Sequence, residues 1–342
     1  MWCRSQARWV SAPSCPVEPR GRSVIHESIA GVIGHTPVVR LGRLFQNQHF
    51  EVLAKLEYLN PLGSMKDRVA RHVIESWLAD GTLQPGDRLV ESSSGNFGIA
   101  LAALGPLYGV QVTCVLDPNT CDANLSILAN LGARIDVVSK RDSQGGYLET
   151  RLARVQDLIA DDPRAVWVNQ YANELCWQTH YQQTAEEIIA QVVEPVDVLV
   201  VAVSTTATLQ GIARRLREHW PDLIVVAVDA AGSVIFGGSS APRRLPGHGS
   251  SRRPELAADC PHDHVMYVEE PDAVASCHAL LQSEGILAGA SSGAVVSAIS
   301  RLGPLLEPRS RVLTLFADRG ERYVDLVYSS TPAEAAKSTV LQ

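Results

Sequence analysis

Val198-Leu199-Val200-Val201-Ala202-Val203, followed directly by Ser204-Thr205-Thr206-Ala207-Thr208-Leu209-Gln210-Gly211, is the stretch on which the fold turns. Six apolar residues without alternation read as a strand covered on both faces, the habit of parallel sheets. The small hydroxyl residues that follow read as a strand-to-helix turn, with helical spacing over 208–219. The same pattern repeats in both directions. Runs rich in β-branched residues begin at Glu51, Arg88, Val110, Arg134, Ala165, Val196, Leu223, His264 and Arg311. Helix-like segments lie near 66–80, 96–109, 121–132, 147–160, 176–192, 271–285 and 292–303. Alternating strand and helix implies right-handed βαβ units, hence an α/β protein with doubly wound sheets. At 342 residues the chain is too long for one small core, so two units are expected.

Composition removes several function classes. A net charge of -7 argues against nucleic acid or an anionic membrane as partner. The apolar run ending at Val203 is far shorter than the ~20 residues that span a bilayer. Neither G-x-G-x-x-G after the first strand nor G-x-x-x-x-G-K-[ST] occurs, so no dinucleotide or P-loop site is signalled. The seven cysteines are scattered and contain no C-x-x-C pair, which fits a reducing compartment and no zinc site. His262-Asp263-His264 reads as a polar loop, and no metal is expected. Residues 1–25 are Arg- and Pro-rich without an apolar h-region, so a disordered extension and a cytoplasmic protein are expected. Residues 237–254, rich in Gly, Ser and Pro, read as a long irregular loop of the kind that serves a site.

Ligands of open α/β sheets sit at the carboxyl ends of strands, and four turns there are unusual. Asn60-Pro61-Leu62-Gly63-Ser64-Met65-Lys66-Asp67-Arg68 places Lys66 in the first turn of a helix. The positive end of the helix dipole disfavours an ammonium there, which suits a nucleophilic amine. A surface lysine paired with Asp67 explains this turn equally well. Only four of the 30 basic residues are lysines: Lys55, Lys66, Lys140 and Lys337. Glu91-Ser92-Ser93-Ser94-Gly95-Asn96-Phe97-Gly98 offers hydroxyls and backbone N–H groups at a helix start, a cradle for a carboxylate or phosphate. Ser204–Thr208 suits a phosphate monoester, and Gly289-Ala290-Ser291-Ser292-Gly293 opens a further helix. One perturbed amine and two anion cradles on one sheet edge point to pyridoxal phosphate and an amino-acid substrate.

With these motifs the chain resembles the fold type II (β-family) pyridoxal-phosphate enzymes, the group of cysteine synthase, cystathionine β-synthase and the tryptophan synthase β-subunit. The likeness runs from about His35 to Tyr328. It rests on Asn60–Arg68, Ser93–Asn96, Ser204–Thr208, Ser291–Gly293 and Asp318-Arg319-Gly320-Glu321-Arg322-Tyr323. The resemblance implies a smaller mobile α/β domain over 51–172 and a larger cofactor domain from 26–50 plus 173–330. It also implies a polar tail at 331–342 and a homodimer acting on small amino acids. Lys66 would form the Schiff base and act as acid and base, Asn96 would bond the cofactor's phenolic oxygen, and Ser291 would meet the pyridine nitrogen. Ser204, Thr205, Thr206, Ala207 and Thr208 would hold its phosphate, while Ser93, Ser94, Asn96 and Gln170 would clamp the substrate carboxylate.

Some positions depart from cysteine synthases. The phosphate loop lacks its glycines, Phe97 stands where Thr is usual, and Ser251-Arg252 replaces small and apolar residues. This combination resembles the family's 2,3-diaminopropionate branch, whose transferases join O-phospho-L-serine to L-glutamate with loss of phosphate, for siderophores and peptide antibiotics. Arg151, Tyr171 and Ser204 are then candidates for the leaving phosphate, and Arg252 for a glutamate carboxylate. Arg151 reads equally as a solvated surface charge. Cysteine synthase activity, on O-phosphoserine or O-acetylserine, is the alternative.

Overall fold

The computed structural model describes residues 25–143 and 145–329. Nearly all of the expected extension at 1–25 and the tail at 331–342 lie outside the described residues. Ten strands are described: β1 Val38–Arg40, β2 Glu51–Lys55, β3 Arg88–Glu91, β4 Gln111–Leu116, β5 Arg134–Val137, β6 Ala165–Trp167, β7 Val198–Ala202, β8 Ile224–Ala230, β9 His264–Val268 and β10 Arg311–Leu315. They form a six-stranded sheet of order β1-β2-β10-β7-β8-β9 and a four-stranded sheet of order β5-β4-β3-β6. Every pairing is parallel except β1 with β2.

The run that suggested the fold shows why it does not alternate. Val198 and Val200 enter one apolar cluster, while Leu199 and Val201 enter another on the opposite face of the sheet. Successive side chains point to opposite faces, and both faces are covered, so every position is apolar.

Three expectations need correction. The strand at 51–55 belongs to the larger sheet, not to the smaller unit, because it pairs with β10 from Glu51↔Arg311 to Lys55↔Leu315. The three-residue edge strand β1 went unread. The segment expected as one helix at 176–192 is Leu175–Thr179, a π-helical turn His180–Thr184, and Ala185–Gln191. The loop at 237–254 has no helix or strand and borders the cleft described next. Among the described residues no helix is long and apolar enough to cross a membrane, no acidic, His or Cys cluster could hold a metal, and the five cysteines are free.

Candidate active site

The turn carrying Lys66 is tied down at each residue. Gly63 adopts φ 88°, a conformation costly for a side-chain-bearing residue, and its N–H donates to Asn60 O at 2.8 Å. Met65 N donates to Ala317 O at 2.9 Å, just past β10, and the helix Lys66–Asp80 starts there. Asp67 accepts from Leu62 N (2.7 Å) and Ser64 Oγ (3.3 Å), so its carboxylate serves the turn instead of neutralising a surface lysine. Burial lowers the Lys66 pKa, opposed weakly by Cys176 and Asp318. That is the direction a Schiff-base amine needs.

Lys66 faces a cleft of about 320 Å³ at the carboxyl ends of β3, β4, β6, β7 and β10. Ser93, Ser94 and Asn96 line it from the β3 turn, and Gln170 lines it from beyond β6. Ser204, Thr205, Thr206 and Thr208 enter from the β7 turn, and Ser291 from the helix Ala290–Leu302. Ala207 does not line the cleft; it is the buried first residue of the helix Ala207–His219. Thr206 before it sits at φ 66°, rare for a β-branched residue and costly by ~1–3 kcal/mol. Such strain collects where a loop is shaped for a ligand.

The orientation of Asn96 is set by a cluster that sequence reasoning left out of the site. Its Nδ2 donates to Asp318 Oδ2 at 2.7 Å, and its Oδ1 accepts from Arg322. Arg322 also donates to Leu62 O at 2.6 Å, and Tyr323 OH donates to Asp318. Asp318 is 3% exposed, its Oδ1 has no partner, and burial raises its pKa. The signal was present, since Asp318–Tyr323 had been singled out as a motif. Asn119, Thr120 and Asn124, which also line the cleft, follow β4 in a hydroxyl- and amide-rich turn and the helix start after it, a pattern like that of the other four turns.

Glu91 ends β3 beneath the serine loop, accepting from Ser92 N at 2.8 Å and Gln170 N at 3.4 Å. Burial raises its pKa from 4.5 to about 7. A carboxyl whose folded pKa is raised contributes stability below its unfolded value and loses it as pH rises through the folded one. The urea midpoint should therefore fall as pH rises from about 4.5 to about 7, and Glu91→Gln should flatten that fall. An identical slope in the variant would clear Glu91 of the effect.

A second, adjoining cleft of about 850 Å³ shares Ser94, Asn119, Arg244, Pro246 and Gly247 with the first. It is lined by Arg141, Arg151, Arg243, Arg244 and His248, against Asp117, Asp142 and Glu149. Arg151 pairs with Asp117 at 3.2 Å, so it is not a solvated surface charge. The Nε atoms of Arg151 and Arg243 and Nδ1 of His248 are buried without a hydrogen-bond partner. Besides Ala207, two expected residues, Arg252 and Tyr171, line neither cleft. Arg252 pairs with Glu255 and lies 5.7 Å over the Tyr171 ring. The Tyr171 phenol is raised by burial and pulled down by Arg151 and Arg252 on either side.

The residues fit pyridoxal phosphate. A buried amine of lowered pKa suits an aldehyde. A hydroxyl-rich loop at a helix N-terminus suits a phosphate, which only accepts hydrogen bonds. Asn96 and the buried Ser291 supply polar contacts around a planar ring. Comparison with known proteins agrees. The family model described as pyridoxal-phosphate dependent enzyme matches residues 29–318. The chain is 52% identical over 305 residues to the N-(2-amino-2-carboxyethyl)-L-glutamate synthase of Ralstonia nicotianae, covering 89% of this chain and 90% of that one. It is 51% identical to the synthase of the same name from Cupriavidus metallidurans, at the same coverage. Among solved structures, the O-acetylserine dependent cystathionine β-synthase of Helicobacter pylori superposes with TM-score 0.83 at 26% identity, covering 89% of this chain and 99% of that one. O-ureido-L-serine synthase superposes at 0.82 and 28%, covering 92% and 100%. With the Lys66 turn, the serine loop and the phosphate loop meeting in one cleft, this chain belongs to the pyridoxal-phosphate dependent enzymes of fold type II.

Proposed function

We propose that this enzyme performs a β-replacement on O-phospho-L-serine, releasing phosphate and joining the amino group of L-glutamate to the β-carbon. The product is N-(2-amino-2-carboxyethyl)-L-glutamate. The names of the two half-identical relatives support this reading. The observation that carries it is the arginine-lined cleft opening into the lysine cleft. L-glutamate brings two carboxylates that need such donors, whereas sulfide, the cysteine synthase nucleophile, needs none.

Bound pyridoxal phosphate withdraws electrons from the substrate α-carbon, which permits loss of the α-proton and the β-substituent. The protein does the rest. Ser93 Oγ accepts from Gly98 N at 3.1 Å, leaving its O–H to donate to the substrate carboxylate with the amides of the helix Asn96–Leu104. Lys66, with the cofactor and substrate bound, would take the α-proton and return it to the α-carbon. The Cβ–O bond to phosphate breaks, and Ser204 and Arg151 stabilise the departing dianion; Tyr171, expected beside them, lines neither cleft. The glutamate nitrogen then bonds to the β-carbon and loses a proton. Arg243 and Arg244 hold its carboxylates, the role first expected of Arg252. The resemblance extends the proposal to a cytoplasmic homodimer supplying L-2,3-diaminopropionate for a siderophore or peptide product.

A mass-spectrometric assay offering O-phosphoserine with sulfide, L-glutamate or homocysteine tests this. The glutamate adduct should dominate, and cysteine as the preferred product would overturn the proposal. Arg243→Ala should raise the KM for glutamate roughly tenfold or more, the worth of a lost charge-assisted hydrogen bond. The KM for O-phosphoserine should stay put; equal rises in both would refute this placement of glutamate.

A further inference from the structure

The π-helical turn His180–Thr184 brings an imidazole to the back of the phosphate loop. Such turns add a residue to a helix and often accompany functional sites. Its neighbour is the helix Ala207–His219, and Gly211 makes the approach possible. A Cβ on Gly211 would stand 2.2 Å from Trp177 O and 2.9 Å from His180 Cβ. The two backbones touch, and the His180 ring is fully buried between them. Its Nδ1 lies 3.0 Å from Thr184 Oγ1, and its Nε2 lies 3.3 Å from Thr208 Oγ1. Thr208 lines the cleft, and among the described residues its O–H otherwise donates only to Met65 Sδ, a weak acceptor at 3.6 Å.

We propose that His180 is a positioning residue of the phosphate loop: Thr184 donates to its Nδ1, its Nε2–H donates to Thr208 Oγ1, and the Thr208 O–H is thereby aimed at the ligand phosphate. The inference rests on the reading that Ser204–Thr208 holds the cofactor phosphate. A neutral imidazole has one donor and one acceptor, and a threonine hydroxyl has one hydrogen. A phosphate dianion can only accept. If Nε2 were the acceptor, Thr208 would spend its hydrogen on the ring and meet the phosphate with lone pairs alone. Only the Nε2–H tautomer leaves that hydrogen to the phosphate, a far stronger acceptor than Met65 Sδ. Burial, with the positive charge of Lys66 and Arg68 nearby, keeps the ring uncharged, so Nδ1 remains an acceptor for Thr184.

The test uses the full-length enzyme stripped of cofactor and titrated with pyridoxal phosphate and, separately, with pyridoxal, following the visible absorption band. A glutamine amide nitrogen reaches the Nε2 position, whereas an asparagine amide reaches only the Nδ1 position. His180→Asn should weaken pyridoxal phosphate about tenfold, the worth of one hydrogen bond to a charged ligand. Pyridoxal binding should stay within about twofold of wild type, and His180→Gln should restore most of the loss for the phosphate ester. The ³¹P resonance of bound cofactor should shift in the asparagine variant and return in the glutamine variant. Equal weakening of both ligands would show a packing role and overturn the proposal, as would an unaffected asparagine variant. Wild-type enzyme that bound pyridoxal as tightly as its phosphate would overturn the loop assignment itself. Should His180→Asn not fold, Thr208→Val removes the same hydroxyl and should show the same phosphate-selective loss; tight binding there would refute the relay.

Discussion

Lys66→Ala should abolish the visible absorption band of the cofactor-loaded enzyme and cut turnover on the order of 10⁴-fold. The variant loses both the Schiff-base amine and a general acid–base, the second alone worth about 10²–10⁴. Among the described residues no other lysine can stand in. Lys55 is fully buried and its Nζ already donates to Thr36 O (2.6 Å), Glu187 Oε2 (2.7 Å) and Gln191 Oε1 (2.9 Å). Lys140 is exposed and does not line the cleft. Lys66→Arg should fail equally, because a guanidinium does not deprotonate in a protein. Both variants should unfold near the wild-type urea midpoint, since Lys66 makes no ion pair in the core. A surviving band in Lys66→Ala would end the assignment of this site.

Arg68→Ala should destabilise the fold by about 3–5 kcal/mol, the usual result of removing one partner from a buried charge network. Arg68 is fully buried two residues beyond Lys66. Its Nε and Nη2 donate to Glu57 at 2.7 and 2.8 Å, and its Nη1 and Nη2 donate to Glu187 at 2.6 and 2.7 Å. Removing the guanidinium leaves the buried Glu57 carboxylate with only the neutral donors Thr36 Oγ1 and Asn60 Nδ2, and Glu187 with Lys55 and the His35 N–H. The paired cations hold Glu187 down to about 2, so it stays charged across the whole working range. Arg68→Lys should recover little, because an ammonium cannot fork between two carboxylates. Urea denaturation checks both, and losses under about 1 kcal/mol would mean that solvent reaches the network. The same rivet joins the helix Lys66–Asp80 to the strand β2 side and to the helix Ala185–Gln191. Residual Arg68→Ala enzyme should therefore also turn over more slowly.

Much of this was legible along the chain because it is local. Strands begin within two residues of the expected starts from Glu51 onward, since β-branched runs bounded by turns are encoded by neighbours. The hydroxyl turns stood out for the same reason, as each packs its chemistry into five or six consecutive residues. What misled was pairing. Glu51–Lys55 looks like the first strand of the unit that follows it, yet its partner β10 lies some 260 residues away in sequence. The π-turn at His180 was unreadable because it answers to Gly211 on another helix.

The arginines divide along the same line. Arg252 looked free for a substrate, but Glu255 sits three residues on, at the start of the short helix Glu255–Asp259, and the bend before it closes the pair. Arg243 and Arg244, carried by the irregular loop at 237–254, line the adjoining cleft. Composition and order alone determined an α/β chain with one lysine at a helix start and anion cradles at its strand ends. Tertiary structure decided which amine is free, since Lys55 and Lys66 differ in their distant partners and not in their chemistry. It also decided which way Asn96 points, through an aspartate 222 residues away. Propensity acts over a few residues, whereas burial and hydrogen-bond partners are set only when the chain closes on itself.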